Sequence, residues 1–409
     1  MPEPTVELDR IDWSSLIDSY GRPAVEVPHL LRSVWSADPQ VRRSAYEQLI
    51  GRLVHQGSSC PAALAAVPFL IDLVADSQAP DRFAACQVLT AVAIGDETGW
   101  LTDSPDPVAM RREVARTAVL SVAELERERA AWAAAGRTEH ERRMRAIAVA
   151  GDDVEARRAE AQQELAAYDA VRVGVPVYAA ALQSPFLAVR LYAAHLLAWF
   201  PEEREIAVPA LTRLIVEEQK PVVAATACLS ASLCASPDDR LLIDALTARR
   251  TDGDRMVCSA AVIGLARVVS HPDRGLIEDL YESLLDTAEP EPLLPFQDGD
   301  LSAMAAFAAR HLGGDSAQDR VDVIAKRLEA RRDLDPLTQV RALLDAAFPS
   351  GPIPDGTAFE DLASWQHRAV LAVWQSRALD GGPMVSMTLG RFNLPTTKNE
   401  LRVWCGLPR

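Results

Sequence analysis

The side chains best able to do chemistry in this 409-residue chain are seven histidines, six cysteines and an aligned set of arginines. The histidines are His29, His55, His140, His195, His271, His311 and His367. No two are close in sequence, and no His-Glu-x-x-His occurs, so neighbouring residues build no zinc-type helix motif. The cysteines are Cys60, Cys86, Cys228, Cys234, Cys258 and Cys405, with no Cys-x-x-Cys pair. Cys228 and Cys234 stand about 240° apart around a helix, so they share no face. The spacing therefore predicts buried free thiols in a reducing compartment, with no metal and no cofactor. There is no phosphate-binding Gly-x-x-x-x-Gly-Lys loop, no Gly-x-Gly-x-x-Gly and no Gly-x-Ser-x-Gly. No catalytic residue is assigned. Enzymatic activity is left open, and the balance leans toward a non-enzymatic role.

Three groups of residues have a binding chemistry. In His55-Gln56-Gly57-Ser58-Ser59-Cys60-Pro61, Gly57 can stop a helix and Pro61 can start the next. That leaves His55 and Gln56 either bonding the loop backbone or facing a ligand. Arg42, Arg82, Arg190 and Arg255 recur at one place in a repeat. Such guanidinium groups either serve the fold or hold an acidic peptide or phosphate. Trp365, His367 and Trp374 lie on one expected helix, the two tryptophans on opposite sides, so each either caps a core or offers a binding hot spot.

The elements that position these residues follow from an internal repeat. Val-Pro recurs at Val27-Pro28, Val67-Pro68, Val175-Pro176 and Val208-Pro209, with prolines 40, 108 and 33 residues apart. Fourteen residues after the proline come Arg42, Arg82, Arg190 and, in the fourth copy, Val223. Seventeen after it come Ala45, Ala85, Ala193 and Thr226; twenty-one after it come Leu49, Leu89, Leu197 and Ser230. A fifth copy aligns with Leu241 in place of proline and Arg255 in place of the arginine. Periods of this length predict helical hairpins that stack, because one hairpin cannot bury its apolar face alone.

On these residues the chain resembles the HEAT-repeat family over about Leu16 to Pro272. That family carries a proline in the first helix and an arginine early in the second. It also favours an Asp eight residues after the proline, a place held here by Asp76 and otherwise by Ser36, Ser184 and Glu217. The resemblance implies an all-α fold, a right-handed α-α superhelix (HEAT-like solenoid) with a long-helix insertion and a C-terminal helical cap. Residues 1–105 then carry N-terminal repeats, 106–170 a charged helical insertion, 171–272 central repeats, and 273–409 an acidic helical region with the cap.

The insertion holds 11 arginines and 13 acidic residues between Asp106 and Asp169. Pro105 and Pro107 open it. Val108 to Ala134 reads as one helix, Thr138 with Glu141 caps a second, and a third runs from Gly151-Asp152 to Val171. Between Asp273 and Asp361 the balance falls to −11, from 19 acidic and 8 basic residues. There Asp286 to Asp300 reads as an acidic loop with Leu293, Leu294 and Phe296 at its centre, so Glu289, Glu291, Asp298 and Asp300 are candidate partner contacts. Arg320 to Arg332 with Pro336 to Ala347 reads as a hairpin and Phe359 to Leu379 as one long helix. Phe392 to Leu407 reads as a turn and short helix capped by Thr397.

The whole chain carries a charge of −16 and only three lysines. That balance argues against general nucleic-acid or anionic-membrane binding. The longest uncharged run, Pro221 to Pro237, is 17 residues of mostly small side chains, unlike a membrane span. No secretory leader is read at the N-terminus, which with the unpaired cysteines predicts a cytoplasmic protein, and the preference for arginine over lysine with abundant alanine predicts a bacterial one. The leading expectation is a scaffold, adaptor or toxin-neutralising module that binds a protein with a basic patch. The alternative is an enzyme or small-molecule binder in the groove of such a scaffold, and less so a DNA-base glycosylase.

Overall fold

The computed structural model describes residues 8–103, 106–136, 138–309, 312, 317–330, 337–380 and 383–408. Pro105, His311, Arg332 and Pro336 lie outside the described residues. Val27–Ser33 (α1) pairs with Pro39–Leu53 (α2), and Pro61–Ala75 (α3) with Arg82–Ile94 (α4). Between α2 and α3 lies an antiparallel hairpin, Val54–His55 (β1) with Ser58–Ser59 (β2). Glu97–Asp103 (α5), Pro107–Ala118 (α6), Val122–Ala134 (α7), Glu139–Ala150 (α8) and Val154–Arg172 (α9) follow. Three more hairpins come next. They pair Val175–Ala181 (α10) with Leu187–Leu197 (α11), Arg204–Glu217 (α12) with Pro221–Cys234 (α13), and Arg240–Arg249 (α14) with Arg255–Val268 (α15). The remaining helices are Arg274–Leu285 (α16), Leu301–Ala309 (α17), Ala317–Ala330 (α18), Leu337–Ala347 (α19), Ser364–Gln375 (α20), Pro383–Arg391 (α21) and Lys398–Trp404 (α22). The fold is all-α, and β1–β2 is the only sheet among the described residues. No described helix is long and apolar enough to cross a membrane.

The chain divides into two compact units. The first comprises Met1–Ala118, Arg158–Val269 and Glu291–Gly299; the second comprises Val119–Arg157, Ser270–Pro290 and Asp300–Arg409. Inside the first unit the register of the repeat is kept in space. Val27, Val67, Val175 and Val208 are buried, and none of the prolines after them is. Helices α1 and α10 begin at the Val-Pro pair, where a missing N–H costs nothing. Helices α3 and α12 begin earlier and carry Pro68 and Pro209 inside. Ala45, Ala85, Ala193 and Thr226 are buried, and so are Leu49, Leu89, Leu197 and Ser230.

The first helices of the five hairpins pack in the order α1, α3, α10, α12, α14. Their second helices pack in the parallel order α2, α4, α11, α13, α15. The long gap between Pro68 and Pro176 therefore leaves the layering uninterrupted: α3 meets α10, α4 meets α11, and the rings of Phe83 and Tyr192 lie 5.9 Å apart.

Each turn between paired helices is closed by one acceptor side chain. Ser36 accepts from the amide of Asp38, Asp76 from that of Gln78, and Ser184 from that of Phe186. In the fourth hairpin Glu218, one place later than aligned, accepts from the amides of Gln219 and Lys220. The hydroxyls of Ser36 and Ser184 thus do the work of the Asp, since either group satisfies a turn amide.

Three local expectations change. Val108 to Ala134 is two helices, because Ser121 and Glu124 form a capping box that starts α7. Gly57 ends no helix: Gln56 and Gly57 both have positive φ, +50° and +87°, the geometry of a two-residue β-hairpin turn. A side chain at Gly95 (φ +63°) would sit 1.9 Å from the Gly57 carbonyl oxygen, so two glycines let the hairpin lie on the end of α4. Finally, Phe359 to Leu379 yields only α20, flanked by single 3₁₀ turns. Thr397 does cap α22, its hydroxyl accepting from the Glu400 amide.

In the second unit α16 packs on α17 and α18, and α19 contacts α17, α18, α20 and α21. Helices α7 and α8 pair, and α8 also meets α21.

Candidate binding grooves

Three of the four aligned arginines are committed to carbonyls and carboxylates of neighbouring turns. Arg42 donates to the carbonyls of Ser36 and Ala37 and to Asp81 at 2.6 Å. Arg190 repeats this with the carbonyls of Ser184 and Pro185 and with Glu218 at 2.7 Å. In both cases the acid precedes the next second-layer helix, so each guanidinium ties one hairpin to the following one. Arg82 is buried and donates twice to the carbonyl of Val74. Arg255 stands exposed at the start of α15. A further stitch comes from an arginine that is not one of the aligned set: Arg249 donates to the carbonyls of Ile215 and Glu218.

His55 and Gln56 are exposed at the tip of the β-hairpin, with the His55 ring 5.0 Å from that of Tyr20. The other side of that hairpin is held by α9. Ser58 donates to Glu160 and Glu164, and Gln163 donates to the Cys60 carbonyl. Trp365 and Trp374 are both half-buried, and His367 Nε2 lies 2.5 Å from the Phe359 carbonyl oxygen.

The four acidic candidates separate. Glu289 and Asp298 are exposed and make no hydrogen bond or ion pair among the described residues. Glu291 accepts from the Leu293 amide. Asp300 is buried: it accepts from Ser302 at 2.5 Å and faces Gln339 at 3.5 Å, while Arg327 donates to the same Ser302 hydroxyl. Its carboxylate joins α17, α18 and α19 and does not lie on the surface.

The centre of the acidic loop is a plug. Leu294 and Phe296 are buried, and the Phe296 ring meets His195 at 4.6 Å and Trp199 at 5.9 Å. Glu97 accepts from the Gln297 amide at 2.6 Å and lies 3.3 Å from His195 Nε2. This cluster draws on residues some 200 positions apart in sequence, and only an aromatic ring inside an acidic loop hinted at it.

Burial pushes Cys86, Cys228 and Cys234 up to about 12, far from a reactive thiolate. No group of three metal-ligating side chains occurs among the described residues.

Two of the grooves among the described residues have opposite chemistry. In the first unit, a cavity of about 460 Å³ lies over α12 and α14. Val208, Pro209, Val216, Leu241 and Ala245 line it, together with Asp239 and Asp244. Leu241, which replaces the repeat proline, is 76% exposed. Asp239 caps α14, whereas Asp244 is exposed and makes no hydrogen bond or ion pair among the described residues. In the second unit, a cavity of about 640 Å³ is lined by Trp132, Met144 and Arg145 on one side and by Met387 and Arg391 among others on the opposite one. Sequence reasoning missed both, because each is made where two helices meet.

No protein-family model matches the sequence, and no curated protein is significantly similar to it.

Proposed function

We propose that the first unit is a HEAT-like α-solenoid and that the chain is a protein-binding module for a partner with a basic patch. The observation that carries this reading is the pair of parallel helix layers, with one arginine after another stitching the turns. Stacked hairpins give a long surface, which suits a scaffold, adaptor or neutralising protein. The docking place we assign is the groove over α12 and α14. Its Val216 and Leu241 supply apolar contact, and Asp244 supplies an unspent negative charge for a lysine or arginine beside an apolar residue. Exposed Asp298, in the same unit, adds charge that steers a basic partner without fixing its register.

The test is a display of peptides pairing basic with apolar residues, applied to wild type, Leu241→Asp and Asp244→Lys. Retention of such peptides should weaken with salt and fall at least tenfold in either variant. Retention of none, or equal retention by Asp244→Lys, removes this assignment.

A further inference from the structure

The second groove points to a different ligand. Its apolar wall is Trp132 with Met144 and Met387, all substantially exposed, and Met residues adapt to irregular apolar bodies. At about 640 Å³ the volume falls in the ordinary range for small-molecule sites, roughly 300–1,000 Å³. The charges around it are unevenly spent. Arg145 pairs with Glu141 and donates to the Trp132 carbonyl, and Arg129 pairs with Asp152. Both guanidinium groups lie over the Trp132 ring, 4.7 and 4.8 Å from its centroid, and fix that wall. Arg391 also lines the groove; it is exposed and makes no hydrogen bond or ion pair among the described residues. The hydroxyls of Ser386 and Thr396 line the same cavity and are likewise uncommitted among the described residues. With Glu141 neutralised, the one charge left to a ligand is positive, in a chain whose net charge is −16.

We propose that this groove binds a small amphipathic carboxylate, its apolar body on Trp132, Met144 and Met387 and its carboxylate on Arg391 with the two hydroxyls. The site is independent of the basic-partner surface and of opposite sign.

Dodecanoate is a suitable probe, titrated by calorimetry and followed through ¹³C-labelled methionine methyl signals. Dodecyltrimethylammonium, with the same tail and the opposite head, is the comparison, and acetate tests the head alone. Dodecanoate should bind and shift the Met144 and Met387 signals, while the cationic surfactant and acetate do not. Arg391→Ala should weaken binding at least tenfold with the melting temperature unchanged, because the side chain makes no hydrogen bond or ion pair among the described residues. Met387→Lys should abolish the methyl shifts of Met144. Equal binding of the two surfactants, or undiminished binding by Arg391→Ala, overturns the proposal. So does a hydrophobic peptide with a free C-terminus that shifts these methyls when dodecanoate does not, since the occupant is then a protein segment.

Discussion

The stacked hairpins of the first unit and the groove on α7, α8 and α21 use arginine in opposite ways. In the stack, Arg42, Arg82, Arg190 and Arg249 are consumed by carbonyls and carboxylates of neighbouring turns. In the groove, Arg145 and Arg129 hold an aromatic wall while Arg391 is left over. Arginine thus serves the fold between the turns of the stack and is left to a ligand at the end of α21. The neighbours of each guanidinium, and not the residue type, tell the two apart.

The largest expected effect is in the stack's core. Leu197→Ala should cost about 3 kcal/mol in urea unfolding, the range for a buried leucine whose site collapses only partly. The aligned Ser230 is also buried, and its hydroxyl has no partner among the described residues. Ser230→Ala should therefore be neutral or slightly stabilising, since it removes an unsatisfied polar group. A large loss there would break the equivalence of the two positions.

Next is the stitch itself. Arg190→Ala strands a buried Glu218 and should cost about 2 kcal/mol, whereas Arg391→Ala should leave stability within about 0.5 kcal/mol. Equal losses would erase the distinction between the two kinds of arginine. Gly95→Ala should cost about 2 kcal/mol, because φ +63° and the nearby Gly57 carbonyl both resist a side chain. If it costs nothing, the β-hairpin is not seated on α4.

The pH dependence has a defined sign. Burial alone would raise the carboxyls of Glu218 and Asp169. Hydrogen bonds from Arg190 and two backbone amides to Glu218, and from Arg111 and Arg172 to Asp169, outweigh it. Both groups sit below their ordinary values of 4.5 and 3.8 in the folded chain. Their contribution is thus complete above those values and is lost as the pH falls through the lower, folded ones. Acid titration of unfolding should show a shallower slope in Arg190→Ala than in wild type; parallel slopes would deny the pairing with Glu218.

The stack was legible in the sequence because Val, Pro, Ala and Leu recur at fixed intervals, and period is what a linear reading detects. The Thr397 cap was legible for the same local reason. The Ser121–Glu124 cap was not, because Glu124 also begins a run of charges that read as one continuous helix face. The Gln56-Gly57 turn was missed because Gly57 serves equally well as a helix stop. The Glu97–His195–Phe296 cluster and both grooves joined residues with no common spacing. Asp300 looked like surface acid because its loop is acidic, yet its neighbours Ser302 and Gln339 drew it inward.

The account rests most on α4 lying directly against α11 across the long insertion. Phe83 and Tyr192, replaced together by cysteine, can be probed with a short bifunctional thiol reagent and peptide mapping. The two positions should be linked within one chain at high yield, as their ring separation of 5.9 Å in the native protein requires. A folded double variant that yields no such link would show that the hairpins on either side of the insertion are not neighbours.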